Sequence, residues 1–575
     1  MGGQTETQPQ RHIVERIMRP VHAKSGGGAI PLAACAVAAG LLPLIPAFSD
    51  ALWYDESYSV ALVGHNPRDI WTLGAQDVHP IGYYMLLAVV RAVFGGNFVA
   101  YRILSVVGIW LAAAVGAMAL RRMFGARAGY VFALLVCCCP FLGQMAVQIR
   151  MYSWAVFAMT ACFMAAMSIC LTARRGRSPQ LFSWAAFALA GVCGAYLHYY
   201  AAVTDFLINV IVLVVCCRNR RRSLVMAFVV QAVAQVALYA PWLIVMFSQV
   251  SRVSGGYWIT FSFPQSLVEI LGYPMAIAGT PMWLGAVLCM VLAVGGIAMM
   301  VLRRGRDAAP RLRKRRAISG TDHRFVAICG VAVYVGLLAF AGAASVILQQ
   351  DVLMYRYLVV ALTAPLASLA IVVTAVWETS EAGSSIRRLI GACAALLAVC
   401  ATVNVGLLAY RSSSPRNAEP MDAIGHAVAS ASGHVAVLSD TPRAMGVLSV
   451  THPELDNVYC SWTERAWWDQ GALVAFDESL RVADDWRQAV GNADEVVFVR
   501  SASPGDHDVL ADVDVVPGLR KIDERTYLHP WDWEYWTIGW YEVDGPVGSG
   551  TNAAADAAQT EESASSARGI GDSDA

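Results

Sequence analysis

Two adjacent carboxylates, Asp55 and Glu56 in the stretch "LWYDESYSVA" (52–61), follow directly on a long apolar run. A charged side chain at the centre of a bilayer costs about 2.5–3.5 kcal/mol or more, so the pair must face water, a partner or a reaction. Neighbours in sequence cannot act as one acid/base dyad. On a strand they point to opposite sides, and on a helix they stand about 100° apart. One of them can face a reacting group while the other orients it. The structural alternative is Asp55 as N-cap of a helix over "ESYSVALVG", with Glu56 in its first turn.

Further polar residues gather at the ends of apolar runs. "AQDVHPIGYYML" supplies Asp77 and His79 ahead of Pro80, a residue suited to the first position of a helix. "QIRMYSW" brings Arg150 and Tyr152, and "YLHYYAA" brings His198, Tyr199 and Tyr200. "LMYRYLVV" sets Arg356 between Tyr355 and Tyr357. Each group also has a bland role, because tyrosines populate interfacial belts and arginines snorkel.

The elements that must position these residues are membrane helices. The chain of 575 residues is 57% hydrophobic and 15% charged, with mean hydropathy +0.51, against about 25% charged residues in soluble domains. Repeated apolar runs of about 20 residues indicate a polytopic α-helical membrane protein. Expected spans are 28–48, 101–120, 128–147, 153–172, 182–198, 200–217, 224–247, 280–302, 325–347, 357–377 and 387–409, eleven in all. The segment 79–96 has a short apolar core interrupted by Arg91. Counting it as a span would place the basic clusters at 121–127, 173–177 and 218–222 outside, against the positive-inside rule. A helix lying in the outer interface puts them all inside together with 303–316, and makes 49–100 the first outer loop. The N-terminal segment 1–27 is polar and basic with no cleavage site, which predicts a cytoplasmic N-terminus before an uncleaved first span. On this topology Arg150 and Arg356 stand at outer span ends, where positive charge is otherwise scarce. That points to anion binding.

From about 410 the character changes. Strands are predicted at 434–440, 456–462 and 494–500, and helices over "MDAIGHAVASA" and "ESLRVADDWRQAVG". Their alternation predicts a small extracytoplasmic α/β domain over 410–546, and 547–575 reads as a disordered tail. Trp531, Trp533, Trp536 and Trp540 in "HPWDWEYWTIGWYEV" are expected to pack the last strand and its turn onto this domain, stacking on sugar rings being the alternative. Thirteen of the 14 cysteines lie in or beside apolar runs, and Cys460 stands alone in the polar region. No Cys/His spacing suggests zinc, and no motif suggests nucleic-acid binding.

The ordered series "WYDESYS…DVHPIGYYML…YRILS…RRMFGARAG…QIRMYS…LHYY…YRYL" resembles the GT-C glycosyltransferases that use polyprenyl-phosphate sugars. It is most similar to the dolichyl-phosphate-mannose protein mannosyltransferases and the aminoarabinose lipid A transferases, over roughly residues 28 to 380. The resemblance implies a GT-C-like membrane domain over 28–409, with Asp55 as the base on the first outer loop, Glu56 in support, and a juxtamembrane helix after His79. The family usually has HPP where this chain has His79-Pro80-Ile81. It further implies a polyprenyl-phosphate sugar donor, an extracytoplasmic acceptor and surrounding membrane lipid as partners. Arg150, Arg356 and Tyr152 would hold the donor phosphate, and Asp77, His79, His198, Tyr199 and Tyr355 the substrates. A donor with one phosphate requires no divalent metal, although one stays an open alternative. A transporter, or a non-catalytic scaffold or sensor with an exported domain, are the rival readings. Transporters place ionisable groups near the midplane, where Asp205 is the main candidate here.

Overall fold

The computed structural model describes residues 29–253, 263–304, 313–350, 352–381, 383–463, 465–466, 470–476, 478–502, 509–545 and 547. The N-terminal segment and residues 548–575 of the tail lie outside the described residues. Among the described residues, eight helices are long and apolar enough to cross a membrane, and two further pairs qualify if each is counted as one bent span. These match ten of the eleven expected spans. The eleventh, Leu181–Leu197, is an apolar helix of 17 residues packed against Tyr152–Arg174 and Arg222–Val253, at the short end of the length range for a span. Gly82–Phe94 has 13 residues, about 20 Å of helix against a hydrocarbon core of about 30 Å, too short to span it.

Both bent pairs break for local reasons. Pro140 lacks an N–H, so the helix Ala126–Cys138 stops at an extended Cys139 and restarts with proline in its first turn, at 65° to the first segment. The second segment ends at Val147, where Gln148 turns extended, and this non-helical stretch delivers Arg150. The other break, 53°, follows a tight turn at Val359–Ala361 just after Arg356.

Ion pairs and rings gather the basic loops at one end of the helices. Arg175 binds Asp322 at 2.8 Å, Phe124 lies 4.6 Å from His323, and Arg221 donates to the Gly176 carbonyl at 3.1 Å. Asp55, Arg150 and Arg356 occupy the opposite end. Close helix approach depends on missing side chains, as is common in membranes. A Cβ on Gly82 would lie 2.6 Å from the Tyr196 carbonyl oxygen, and one on Gly108 would lie 2.9 Å from the Ser153 backbone.

The C-terminal part holds a six-stranded sheet: β1 Val435–Ser439, β2 Asp456–Cys460, β3 Arg481–Ala483, β4 Glu495–Ala502, β5 Leu519–His529 and β6 Glu534–Val543. The order is β3-β2-β1-β4-β6-β5, with β1 to β4 parallel and the β5–β6 hairpin antiparallel. All five residues of β1 are buried, the pattern of a strand covered on both faces. The helix expected over 478–491 is instead β3 followed by the short helix Trp486–Val490. "RVA" pairs with β2, and the Asp485 side chain accepts from the Gln488 N–H at 2.8 Å to start the helix.

This domain rests on the helix that carries the acidic pair. Gly446, on the helix Pro442–Thr451, lies close against Tyr54 and Ser57, each of which a Cβ there would approach to 3.2 Å, and Phe476 packs on Tyr58. His65 Nε2 lies 3.0 Å from the Ala475 carbonyl oxygen. Trp536 is fully buried in the domain, as expected for a packing tryptophan. Trp531 departs from that expectation: it leaves its own domain and packs with Ala47, Val106, Val147 and Leu408 of the membrane helices.

Gly82→Ala tests the close approach. The methyl group must displace backbone of the neighbouring helix, and stability should fall by roughly 1–3 kcal/mol, read as a lowered unfolding midpoint in detergent. An unchanged midpoint would show that the two helices can separate without cost.

Candidate active site

The helix Tyr54–Leu62 begins after an extended Trp53, which occupies the cap position without a side-chain hydrogen bond. Asp55 is therefore not the N-cap. It sits in the first turn, where the helix dipole favours an anion, with its side chain 26% exposed. Glu56, one position on, is fully buried. The helix thus sends the two carboxylates to different destinations, as the 100° step between neighbours requires.

Asp55 Oδ2 lies 3.9 Å from Arg150 Nε and 3.8 Å from Arg356 Nη1. Direct charge-assisted bonds are about 2.7–2.9 Å, so the carboxylate stands between two guanidinium groups without closing on either. The Nε atoms of both arginines are buried with no hydrogen-bond partner. Buried donors are ordinarily satisfied, so these two mark a place for an anionic acceptor.

Arg150 is otherwise held fast. Its Nη1 donates to the Asp55 carbonyl at 3.1 Å, and to Ser59 Oγ and the Tyr84 hydroxyl at 3.4 Å each. Its Nη2 lies 3.3 Å from His79 Nε2. A guanidinium has only donors, so His79 accepts there and carries its proton on Nδ1, which points at Asp77 Oδ2, 3.2 Å away. Burial pushes the Asp77 carboxyl up, but the hydrogen bonds of His79 and the Val78 N–H, helped by the Arg150 charge, hold it below the ordinary carboxylate value. Asp77, His79, Arg150 and Asp55 form one continuous chain.

Of the other residues singled out from the sequence, Tyr152 is buried with its ring 5.7 Å from His198. His198 caps the helix Tyr199–Arg218 through Nδ1, and its Nε2 is buried without a partner. The structure does not bring Tyr199 or Tyr355 to the Asp55 group. The Tyr199 hydroxyl binds Gln249 and accepts from Trp242 Nε1 at 3.2 Å, while Tyr355 packs on Phe141 and Tyr273. Both contact neighbouring helices.

Glu56, expected in support of Asp55, is bound on all sides. Its Oε1 accepts from Arg102 Nη1 at 2.7 Å and from the Ile149 N–H at 2.9 Å. Its Oε2 accepts from Arg102 Nη2 at 3.1 Å and from Trp531 Nε1 at 2.9 Å. With four donors on a buried carboxylate, Glu56 has no capacity left for substrate. Its bonds fix the positions of its neighbours. Arg102 spends its remaining donors on the carbonyls of Val147 at 2.6 Å, Ser49 at 3.4 Å and Ala51. Sequence reasoning missed Arg102, although a charge early in the apolar helix Phe98–Phe124 is the kind of residue that membrane burial singles out. It also missed Tyr84, Ser59 and Trp53, whose ring lies 5.7 Å from the Arg356 guanidinium. Nothing in their local sequence signals these roles.

No protein-family model and no curated protein matches the sequence. Among solved structures, ArnT from Cupriavidus metallidurans bound to undecaprenyl phosphate matches with a TM-score of 0.50 at 14% identity, over 89% of this chain and 98% of that one. The fold is of the GT-C type. The apo form of the same ArnT gives 0.44 at 14% identity with the same coverage. The Archaeoglobus fulgidus oligosaccharyltransferase in complex with Zn and sulfate gives 0.39 at 14% identity, over 81% of this chain and 67% of that one. The GT-C architecture expected from the order of motifs is thus present, as a multi-pass helical membrane domain with a C-terminal β-containing domain.

Arg102→Met should leave the Glu56 carboxylate buried beside two neutral donors. Breaking a buried pair from one side costs about 3–5 kcal/mol, so the yield of monodisperse protein in detergent should collapse. Normal yield and an unchanged unfolding midpoint would mean that water reaches Glu56.

Proposed function

We propose that the protein is an integral membrane glycosyltransferase that moves a sugar from a polyprenyl-phosphate carrier to an extracytoplasmic acceptor, a protein, cell-wall glycan or lipid, with inversion at the anomeric carbon. The observation that carries this reading is the part-exposed Asp55 carboxylate set between two guanidinium groups whose Nε donors lack partners. The acceptor hydroxyl attacks the anomeric carbon and passes its proton to Asp55 as the bond to the phosphate oxygen breaks. Charge grows on the departing phosphate, where Arg150 and Arg356 lie ready to receive it, without reorganisation in the case of Arg150. A single displacement inverts the centre. Two guanidinium groups at the leaving group can neutralise its charge without a divalent metal, which stays an open alternative. The fold shared with an ArnT crystallised with undecaprenyl phosphate supports a lipid-phosphate partner.

The same reading places the N-terminus and basic loops in the cytoplasm and the C-terminal domain outside, since that domain rests on the end of the bundle that holds Asp55. A transporter or scaffold would leave the Asp55–Arg150–Arg356 arrangement without a purpose. Asp205 is already engaged by Cys162 and Gln235, at 3.2 Å each.

Membrane extracts supplied with radiolabelled polyprenyl-phosphate sugars test the donor class before the acceptor is known. Asp55→Asn keeps the shape but cannot take a proton, and turnover should fall by about 10²–10⁴ with folded yield unchanged. Full specific activity in this variant would remove Asp55 as the base. Arg356→Lys replaces a planar fork by a point charge and should weaken donor binding; unchanged donor affinity would reduce Arg356 to an interfacial anchor. Labelling of a cysteine at position 97 from the cytoplasm alone would overturn the sidedness.

A further inference from the structure

The β5–β6 turn of the C-terminal domain reaches the residue next to the proposed base. Residues 530–533 join the two strands, and this turn is anchored at the end of the last membrane helix, Ser385–Ser412. Arg411 Nε donates to the Pro530 carbonyl at 2.8 Å, and its Nη2 donates to the Trp531 carbonyl. The Trp531 N–H donates to Asn417 Oδ1 at 3.0 Å. Held at its backbone, Trp531 lays its ring 4.5 Å from the Arg102 guanidinium and gives its only side-chain donor to Glu56.

We infer that Trp531 is a positioning residue for the reaction, and that the C-terminal domain completes the site from outside the membrane domain. Glu56 Oε2 has Arg102 and Trp531 as donors, while Oε1 holds the Ile149 N–H, one residue before Arg150. Glu56 is also the helical neighbour of Asp55. A carboxylate fixed by all four bonds sets the distance between the helix bearing the base and the segment bearing Arg150. Without the indole N–H, Oε2 keeps a single donor, and the segments tied through Glu56 lose one of their four restraints. Arg150 retains its bonds to the Asp55 carbonyl, Ser59, Tyr84 and His79. The loss therefore falls on the alignment of Asp55 and spares donor capture. This role rests on the glycosyl-transfer reading given above; the coupling between Trp531 and the 54–62 and 147–152 segments does not.

Trp531→Phe in the full-length chain removes the donor while keeping a ring over Arg102. Transfer from a radiolabelled polyprenyl-phosphate sugar should show kcat lower by about tenfold to a hundredfold, the effect of a small misplacement of a reacting group. The KM for that donor should stay within about twofold, which separates alignment from binding. Hydrogen exchange supplies a readout free of activity: peptides covering 54–62 and 147–152 should lose protection while β1 and β4 keep theirs. Asn417→Ala, which frees the turn without touching the buried ring, should give the same pattern in weaker form, and decides the matter if Trp531→Phe does not fold. Unchanged exchange in both segments, together with unchanged kcat, would overturn the inference and leave the turn as packing alone. If the wild-type chain transfers no sugar, that failure belongs to the functional reading, and exchange alone decides the role of Trp531.

Discussion

The arrangement at this end of the molecule depends on one buried ion pair. Arg102 offers five N–H donors in a fixed plane, and the structure uses them on Glu56 and on the carbonyls of Ser49, Ala51 and Val147. Those carbonyls belong to the exit of the first span and to the end of a broken helix. Taking two charges out of water is expensive, and the attraction between them repays it only when every remaining donor and acceptor is matched. That condition makes the geometry stringent. If the exit loop, the broken helix or the turn bearing Trp531 moves, a buried charge loses a partner.

The consequence is a division of labour between neighbours. A helix places Asp55 and Glu56 about 100° apart, so one can be sealed inside while the other remains part-exposed. Glu56 anchors the backbone at Ile149, and the next residue, Arg150, returns a hydrogen bond to the Asp55 carbonyl. Asp55 and one of its two neighbouring guanidinium groups are thereby tied to each other through a fully buried carboxylate. Arg356 comes from a different helix and approaches more loosely, with its side chain 26% exposed. On the reading proposed above, one fixed and one freer guanidinium would let the site hold a phosphate and then release it.

The C-terminal domain has a different relation to the membrane helices than its composition suggests. Its polar surface and mixed sheet read as an independent unit attached by a tether. Instead it covers the Asp55 helix from one side through Gly446 and Phe476, and enters from another through Trp531. An isolated membrane domain would expose the Glu56 carboxylate at the face that Trp531 now seals.

Much was legible in the amino-acid order because it rests on local physics. Apolar run length marked the membrane helices, basic loops marked their common end, and alternating strand and helix patterns marked the α/β domain. Polar residues at span ends marked Asp55, Arg150, Arg356, Asp77 and His79, which the fold does bring together. Where local rules competed, the reading failed: "RVA" reads as helix until β2 offers it a partner. What only the tertiary structure decided was which carboxylate stays exposed and which is consumed. It also decided that Arg102 is a hub, that Tyr199 and Tyr355 hold helices together, and that Trp531 completes a shell 475 residues away from Glu56. Periodicity and charge carry information over a few residues, whereas the satisfaction of a buried charge depends on donors that arrive from any part of the chain.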